Sequence, residues 1–358
     1  MPDLYAMGRR FMMRLEPEQA HRLTLKLLKS PAALLLGGCA DPPELETTFM
    51  GIRLPNPVGL AAGFDKNAEV PDAMLRVGFG FVEVGTVTPR PQQGNPPPRV
   101  FRLMEDEAVI NRIGFANDGA DVVTRRLSER RAASRPGKIG INIGANRDSE
   151  DRIEDYVNGL KRFSGLGDYY TINISSPNTP GLRGLQSRDQ LKLLLDRLLA
   201  VREQMSRVRR PPLLIKLAPD LTDAECEDVA ALALQHEVDG LIVGNTTISR
   251  PEGVASPLRD ETGGLSGRPL KSLALRNLRL MYALTGGRVP LVGVGGIASG
   301  EDAYERIRAG ASVVQLYTAL VFEGPGLVVR IKQDLAALLR RDGFASVAQA
   351  VGADAPAA

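Results

Sequence analysis

One stretch of the sequence places several polar side chains at the end of an apolar segment. Residues 169–174, YYTINI, are mostly of types that favour a buried β-strand. Pro177 ends this strand because it has no N–H to donate, so Ser176 and Asn178 lie just past its carboxyl end. A buried amide without a partner costs about 1–3 kcal/mol. Asn173, Ser176 and Asn178 therefore indicate a bound ligand with several carbonyl and N–H groups; an ordinary polar turn is the alternative.

Short apolar segments recur from residue 45 onwards, mostly with helical patterns between them. Near-continuous apolar strands that alternate with helices are typical of a parallel sheet covered on both faces. Eight such units predict an α/β fold, a closed (β/α)8 TIM barrel, whereas a doubly wound sheet would need no eighth strand. The predicted strands are 58–62, 81–86, 139–143, 169–174, 213–217, 240–244, 290–294 and 312–317.

The intervals outside these units predict the domain organisation. We predict an amphipathic helical extension over residues 1–40, the barrel over 41–345 and a C-terminal tail over 346–358, fraying from residue 352. Between the second and third strands, two short apolar segments flank the acidic residues 105–107 and predict a β-hairpin.

Lysines at two predicted strand ends are the strongest chemical signal. In a TIM barrel the active site lies at the carboxyl ends of the strands. Lys66 follows the first strand and Lys216 lies in the fifth, both among apolar residues. Because a buried ammonium is costly without a partner, an anionic or electron-rich ring is the expected ligand. A structural salt bridge is the alternative for Lys216.

A glycine-rich turn at residues 293–297 follows the seventh strand, and Tyr317 and Thr318 follow the eighth. Phosphate groups commonly bind at this position in TIM barrels, where glycines let backbone N–H groups approach the oxygens.

Five asparagines at strand ends could read a flat ring with alternating carbonyl and N–H groups, such as a pyrimidine: Asn111, Asn142, Asn173, Asn178 and Asn245. No side chain here carries electrons, so redox chemistry would require an organic cofactor, and the phosphate site fits flavin mononucleotide (FMN).

Composition excludes several other classes of function. With two cysteines far apart in sequence and two histidines, no metal site is predicted, and a reducing compartment is expected. The net charge of +3 is too small to indicate nucleic-acid binding.

The first 40 residues have a distinct charge pattern, with six basic and three acidic side chains. Two basic amphipathic helices are predicted here, over 3–15 and about 17–29. Such helices can lie on an anionic membrane surface, or they can simply cap the barrel. No apolar segment of about 18 residues, long enough to span a bilayer, occurs in the sequence.

The sequence resembles the quinone-dependent, class 2 dihydroorotate dehydrogenases over nearly its whole length. The resemblance rests on six spaced motifs: NPVGLAAGFDK at 56–66, GTVTPRP at 85–91, NRIGF at 111–115, NISSPNTPGLR at 173–183, GGLSGRPL at 263–270 and GVGGI at 293–297. It implies oxidation of (S)-dihydroorotate to orotate in pyrimidine biosynthesis, with FMN taking the hydride and a membrane quinone reoxidising the flavin. It also implies a peripheral, monomeric protein on the cytoplasmic face of the cell membrane.

The resemblance also implies roles for individual residues. Ser176 is the implied base for the C5 proton, and we hypothesise that Thr179 or a trapped water assists it. Class 1 relatives carry cysteine at this position, so Ser176 favours class 2. Residues 179–183 resemble the mobile lid of the family.

Three sets of binding residues follow from the same motifs. Implied substrate contacts are Lys66, Asn111, Arg112, Ile113, Gly114, Phe115, Asn173, Asn178, Asn245 and Thr246. Implied FMN contacts are Ala62, Gly63, Phe64, Asp65, Lys66, Thr86, Asn142, Asn173, Lys216, Gly244, Gly267, Gly296, Tyr317 and Thr318. The implied quinone contacts are His21, Arg102 and Tyr317. At Gly244 the family often has threonine or serine, so a hydroxyl is missing here.

Two other interpretations remain at this level. One is another FMN barrel acting on pyrimidines, such as a class 1 dihydroorotate dehydrogenase, a dihydrouridine synthase or a dihydropyrimidine dehydrogenase. The other is a non-catalytic phosphate-binding module docked on a membrane.

Overall fold

The chain folds around a closed barrel of eight parallel strands. The structure is a computed structural model that describes residues 4–35, 37, 39–205 and 211–355. Its strands are β1 (Thr47–Phe49), β2 (Ile52–Leu54), β3 (Val58–Leu60), β4 (Phe81–Val87), β5 (Val100–Leu103), β6 (Ala108–Asn111), β7 (Lys138–Ile143), β8 (Tyr169–Asn173), β9 (Leu213–Leu217), β10 (Gly240–Val243), β11 (Gly264–Gly267), β12 (Leu291–Val294) and β13 (Ala311–Leu316). The barrel closes in the order β10-β12-β13-β3-β4-β7-β8-β9.

Helices surround the barrel and extend it at both ends of the chain. They are α1 (Leu4–Arg14), α2 (Pro17–Lys29), α3 (Pro71–Val77), α4 (Ala120–Ala132), α5 (Arg152–Arg162), α6 (Arg188–Met205), α7 (Asp223–Gln235), α8 (Lys271–Thr285), α9 (Gly300–Arg308), α10 (Thr318–Glu323), α11 (Gly326–Arg341) and α12 (Val347–Ala350). The predicted (β/α)8 barrel is confirmed, and each predicted barrel strand ends within two residues of an observed one.

Aromatic side chains fill the barrel at its amino-terminal end. The rings of Phe81 and Tyr169 pack at 6.2 Å inside the barrel. Neighbouring strands carry glycine where these rings lie: a Cβ on Gly59 would come within 2.3 Å of Phe81, and one on Gly140 within 2.1 Å of Tyr169. The β1–β2 hairpin, which the sequence did not predict, adds buried apolar side chains to this cluster. This end is therefore closed, and polar groups gather at the other.

A small sheet of three strands, β11-β6-β5, is separate from the barrel. The predicted hairpin is confirmed as β5 and β6, which pair antiparallel. The structure adds β11, which pairs with β6 although about 150 residues separate them in sequence. Asp106 in the hairpin turn accepts the amides of Ala255 and Ser256, which ties the long loop after β10 to this sheet.

Both predicted N-terminal helices are present and lie against the barrel. Arg99 forms a bidentate ion pair with Glu18 of α2, at 2.9 and 3.0 Å. Lys29, at the end of α2, pairs with Glu69. The helices expose Phe11 and Leu27, and Leu34 just after them is 70% exposed. Among the described helices, none is long and apolar enough to cross a membrane.

The C-terminal segment differs from the expected frayed tail. Val347 and Ala350 of α12 are fully buried. The amide of Gly352 donates to the Ile307 carbonyl, and Arg308 forms an ion pair with Asp354. The expectation of fraying from residue 352 is wrong for the residues up to 355, because these tertiary bonds satisfy a backbone whose small side chains suggested disorder; residues 356–358 lie outside the described part.

Candidate active site

A buried polar network joins the carboxyl ends of three neighbouring barrel strands. The side-chain amide of Asn173 donates to Thr86 Oγ1 at 2.8 Å and to Asn142 Oδ1 at 3.1 Å. Thr86 in turn donates to Asn142 Oδ1 at 2.6 Å. Asn142 donates to Glu83 Oε1 at 2.7 Å. The structure thus brings together three of the predicted ligand-binding residues and holds each amide in one orientation.

Glu83 lies at the centre of the barrel and had no predicted role. Its Oε2 accepts hydrogen bonds from three side chains on two other strands: Tyr169 (3.1 Å), Thr171 (3.1 Å) and Gln315 (3.0 Å). Four donors in total, including Asn142, satisfy a fully buried carboxylate. Such a carboxylate is tolerated only because it is hydrogen-bonded on both oxygens.

Lys216 is buried beside this network without a direct partner. It pairs with Asn173 across the β8–β9 ladder and is 4% exposed. Among the described residues it forms no hydrogen bond or ion pair. Burial lowers the pKa of Lys216, and the negative charge of Glu83 opposes that shift. No salt bridge of Lys216 is present among the described residues, and its binding to an electron-rich ligand stays a prediction.

The loop after β8 carries the predicted base. Ser176 is buried, and its Oγ accepts the backbone N–H of Asn178 at 3.3 Å. The Asn178 side chain donates to Asn111 Oδ1 at 3.3 Å, which places two predicted substrate residues side by side. Thr179 Oγ1 is buried with no hydrogen-bond partner in the described part of the chain. The loop therefore presents two hydroxyl groups that are available to a ligand.

Arg183 fixes the end of this loop, and sequence reasoning assigned it no individual role. Its guanidinium donates to the Ser175 carbonyl (3.0 Å), the Thr246 carbonyl (3.0 Å) and Asp220 (2.8 Å). Ser175 Oγ also accepts the Asn245 amide at 2.8 Å. One planar side chain thus links segments that follow three consecutive barrel strands.

Replacing Arg183 by lysine should weaken about tenfold the binding of orotate, the ligand that the resemblance implies, because one ammonium cannot span three acceptors and charged hydrogen bonds are worth about 1.5–3 kcal/mol. Flavin content should not change. The measurement is a titration of the protein-bound flavin spectrum with orotate. Arg188→Lys is the matched control, since Arg188 makes an exposed ion pair with Asp228. Equal orotate affinity in wild type and Arg183→Lys would contradict this role.

The segment after β3 forms a tight turn around Asp65. Both carboxylate oxygens accept backbone amides, from Glu69 and Val70 at 2.8 Å each. Lys66 Nζ donates to the Gly63 carbonyl at 2.7 Å. Burial lowers the pKa of Lys66 to about 8, whereas Glu18 raises it and Arg99 lowers it further. Asp65 therefore builds the turn, and Lys66 is a cation that loses its proton readily.

Side chains from neighbouring segments hold the backbone carbonyls of the loop at residues 111–115. The Arg112 side chain donates to Glu261 at 2.7 Å and stacks on Phe101, so its role as a substrate contact stays a prediction. Asn95, which sequence reasoning missed, donates to the carbonyls of Arg112 (2.8 Å) and Asn178 (3.3 Å). Asn95 thus joins this loop to the one after β8. Gln92 holds the Gly114 carbonyl in a similar way, at 3.0 Å.

Glycines line the predicted phosphate site. Gly296 has φ +69°, and a Cβ there would lie 2.5 Å from Lys271 Cα. A Cβ on Gly267, at φ +104°, would lie 2.4 Å from the Glu107 carbonyl. Thr318, at the start of α10, donates to Ser266 Oγ at 2.9 Å, which joins the segment after β13 to β11. Gly244 likewise has positive φ, +130°, so only its backbone is available.

An aromatic series connects the N-terminal helices to this site. The ring of His21 in α2 packs edge-on against Phe64 at 5.4 Å, and Phe64 packs against Tyr317 at 5.5 Å. Burial and the nearby charge of Lys66 lower the pKa of His21 to about 3, so it is neutral at pH 7. Arg102 donates to the carbonyls of Met12 and Leu15, which holds the end of α1.

Comparison with known proteins identifies related chains. A family profile described as dihydroorotate dehydrogenase matches residues 44–339. A protein of Xanthobacter autotrophicus named dihydroorotate dehydrogenase (quinone) is 56% identical over 98% of this chain and 99% of its own. One of Rhodospirillum rubrum with the same name is 54% identical over 99% and 95%. A crystal structure of DHODH in complex with ferulenol, from Eimeria tenella, has a TM-score of 0.91 at 45% identity, covering 95% of this chain and 96% of that one.

Proposed function

Because this chain belongs to the dihydroorotate dehydrogenase family, we propose that it oxidises (S)-dihydroorotate to orotate and passes the electrons through FMN to a membrane quinone. The observation that carries this proposal is Lys216, a buried cation without a direct partner among the described residues, beside an amide and hydroxyl network at the barrel mouth. A flavin ring becomes anionic when reduced, so a cation held in this position favours reduction.

The residues present fit FMN. At Gly267 and Gly296 a Cβ would clash with neighbouring backbone, so both positions offer only backbone groups, of the kind that bind phosphate oxygens. Ser266, next to Gly267, accepts a hydrogen bond from Thr318. Thr86, Asn142, Asn173 and Lys216 lie together under the barrel mouth, where the flavin ring would bind. When bound, FMN supplies the hydride acceptor for C6 of the substrate and a carrier of electrons to the quinone.

The chain supplies proton transfer and orientation. Ser176 takes the C5 proton of dihydroorotate, and the N–H of Asn178 occupies one lone pair of its Oγ. When Ser176 takes that proton, the hydroxyl proton of Ser176 must leave, and we propose that Thr179 Oγ1 assists this transfer. Thr179 Oγ1 is buried and has no hydrogen-bond partner among the described residues. Asn111, Asn178 and Asn245 read the ring amides, and Lys66 attracts the substrate carboxylate.

The N-terminal helices provide the proposed quinone entrance. The exposed side chains of Phe11, Leu27 and Leu34 would enter the headgroup region of the membrane. The basic side chains within the first 40 residues would bind anionic lipids. The series His21, Phe64 and Tyr317 leads from these helices to the flavin. Arg102 lies at the same helix pair. We propose that the protein is a monomer bound peripherally at the cytoplasmic face of the membrane.

An anaerobic absorbance titration tests this function. The purified protein should be yellow, should bleach when dihydroorotate is added and should recover its colour when a quinone is added. A yellow protein that dihydroorotate does not bleach would retain the flavin but exclude the substrate. A colourless protein that FMN cannot reconstitute would contradict the proposal as a whole.

The pKa of Lys66 predicts how substrate affinity depends on pH. Below about 8 Lys66 carries its charge and attracts the carboxylate, and above that value the charge is lost. The KM for dihydroorotate should therefore rise about tenfold for each pH unit above 8. The measurement is KM between pH 6.5 and 9.5, with Lys66→Met as control, which should bind weakly at every pH. A wild-type KM that stays constant to pH 9.5 would exclude Lys66 as the carboxylate partner.

A further inference from the structure

Arg306 is a buried arginine behind the glycine turn that follows β12. It lies in α9 and is 1% exposed. Its Nη2 donates to two backbone carbonyls, those of Gly295 at 2.9 Å and Lys271 at 2.7 Å. One nitrogen thus joins the turn to the first residue of α8, at the place where Gly296 approaches Lys271 most closely. No motif of the sequence singled out Arg306.

The bond to Gly295 determines the direction of the next amide. The carbonyl of Gly295 and the N–H of Gly296 belong to one trans peptide unit, in which the two groups point in opposite directions. Arg306 holds the carbonyl, so the N–H of Gly296 is directed away from Arg306. Within the described residues that N–H makes no hydrogen bond. Arg306 therefore both orients and polarises an amide that is free to bind an anion.

Arg306 forms no ion pair with an acidic side chain among the described residues. The nearest acidic residues of α9, Asp302 and Glu305, pair with Lys271 at 2.5 and 3.2 Å. Among the described residues no carboxylate lies within 4 Å of Arg306, and its Nε and Nη1 have no partner. Burial lowers the pKa of Arg306 to about 10, the charges of Glu305 and Asp302 oppose that shift, and the side chain remains protonated at pH 7. A buried guanidinium with two nitrogens lacking hydrogen-bond partners is costly, and a bound anion on the far side of the turn would stabilise it.

We propose that Arg306 is a positioning residue for the cofactor phosphate: it presents the Gly296 amide to the phosphate and adds a positive charge behind that amide. This inference rests on the proposed function, because it assumes that the bound flavin is a phosphate ester. It predicts that Arg306 discriminates FMN from riboflavin, which has the same ring system without the phosphate. A residue that only stabilised the fold would affect both flavins equally.

The test measures the dissociation constants of FMN and riboflavin for the flavin-free full-length chain by fluorescence quenching. Selectivity is the ratio of the riboflavin constant to the FMN constant. Arg306→Met should lower this selectivity at least about tenfold, since the Gly296 amide loses the group that orients and polarises it and the phosphate loses a nearby positive charge, while riboflavin affinity changes less than about threefold. Arg306→Gln, which is neutral but can still donate to the carbonyls, should also lower it. Arg306→Lys, which keeps the charge, should retain most of it.

Arg308→Met is the matched control, because it removes the same group from the same helix at a position that pairs with Asp342 and Asp354. Its selectivity should equal that of wild type. If both neutral Arg306 variants keep the wild-type selectivity, or lose affinity for the two flavins in parallel, the inference is wrong. A wild-type chain that binds neither flavin would instead contradict the proposed function, so the two failures are distinguishable.

Discussion

Replacing Ser176 by alanine will slow the reduction of the bound flavin by dihydroorotate about a thousandfold. General-base catalysis by a positioned side chain contributes about 10²–10⁴-fold, and alanine leaves nothing at this position that can accept the C5 proton. Ser176 is buried next to Asn178, so bulk water cannot easily replace it. The measurement is anaerobic stopped-flow absorbance of the flavin. Reoxidation of the reduced flavin by quinone should not change, because no substrate proton is involved.

Two further variants separate proton transfer from binding. Ser175→Ala is the comparison at the neighbouring serine: Ser175 Oγ holds Asn173 at 2.9 Å and Asn245 at 2.8 Å, so its loss should mainly weaken substrate binding. Thr179→Val should slow flavin reduction less than Ser176→Ala, if Thr179 assists the serine. A Ser176→Ala protein with near-normal flavin reduction would exclude the serine as the base.

Removing residues 1–40 will lower turnover with a long-chain quinone about a hundredfold or more, because docking on the membrane concentrates the protein near its acceptor by factors of this size. Reduction of the flavin by dihydroorotate should stay within about threefold of the full-length rate. The deletion removes His21 and the exposed apolar residues but not the barrel, and Asp41, the ion-pair partner of buried Lys332, is retained. Both half-reactions are measured on the same preparation.

A milder variant controls for damage to the fold. Replacing exposed Phe11, Leu27 and Leu34 by serine should reduce binding to anionic vesicles while the Glu18–Arg99 ion pair stays in place. Turnover with a short, water-soluble quinone should then approach the wild-type rate, whereas long-chain quinone turnover should not. If the protein lacking residues 1–40 still reduces long-chain quinones normally, the quinone entrance lies elsewhere.

The amino-acid sequence by itself determined the barrel and most of the proposed ligand residues. Strand positions follow from local apolar patterns, because a strand covered on both faces must be apolar along its length. The glycine turn after β12 and the Ser176 loop stand out for local reasons: three of the five residues 293–297 are glycine, and Pro177 ends a strand. Such signals depend only on neighbours in sequence.

The tertiary structure alone decided which side chains support these ligand residues. Glu83 receives a hydrogen bond from Gln315, 232 positions away in the sequence. The strand β11 likewise pairs with β6, although about 150 residues separate them. Arg183 joins three strand ends, and Arg306 holds the glycine turn from an adjacent helix. No local pattern specifies these pairings, because each depends on which surfaces meet when the barrel closes. Charged residues in helices usually face solvent, so Arg306 became noticeable only when its burial and its missing acidic partner among the described residues were known.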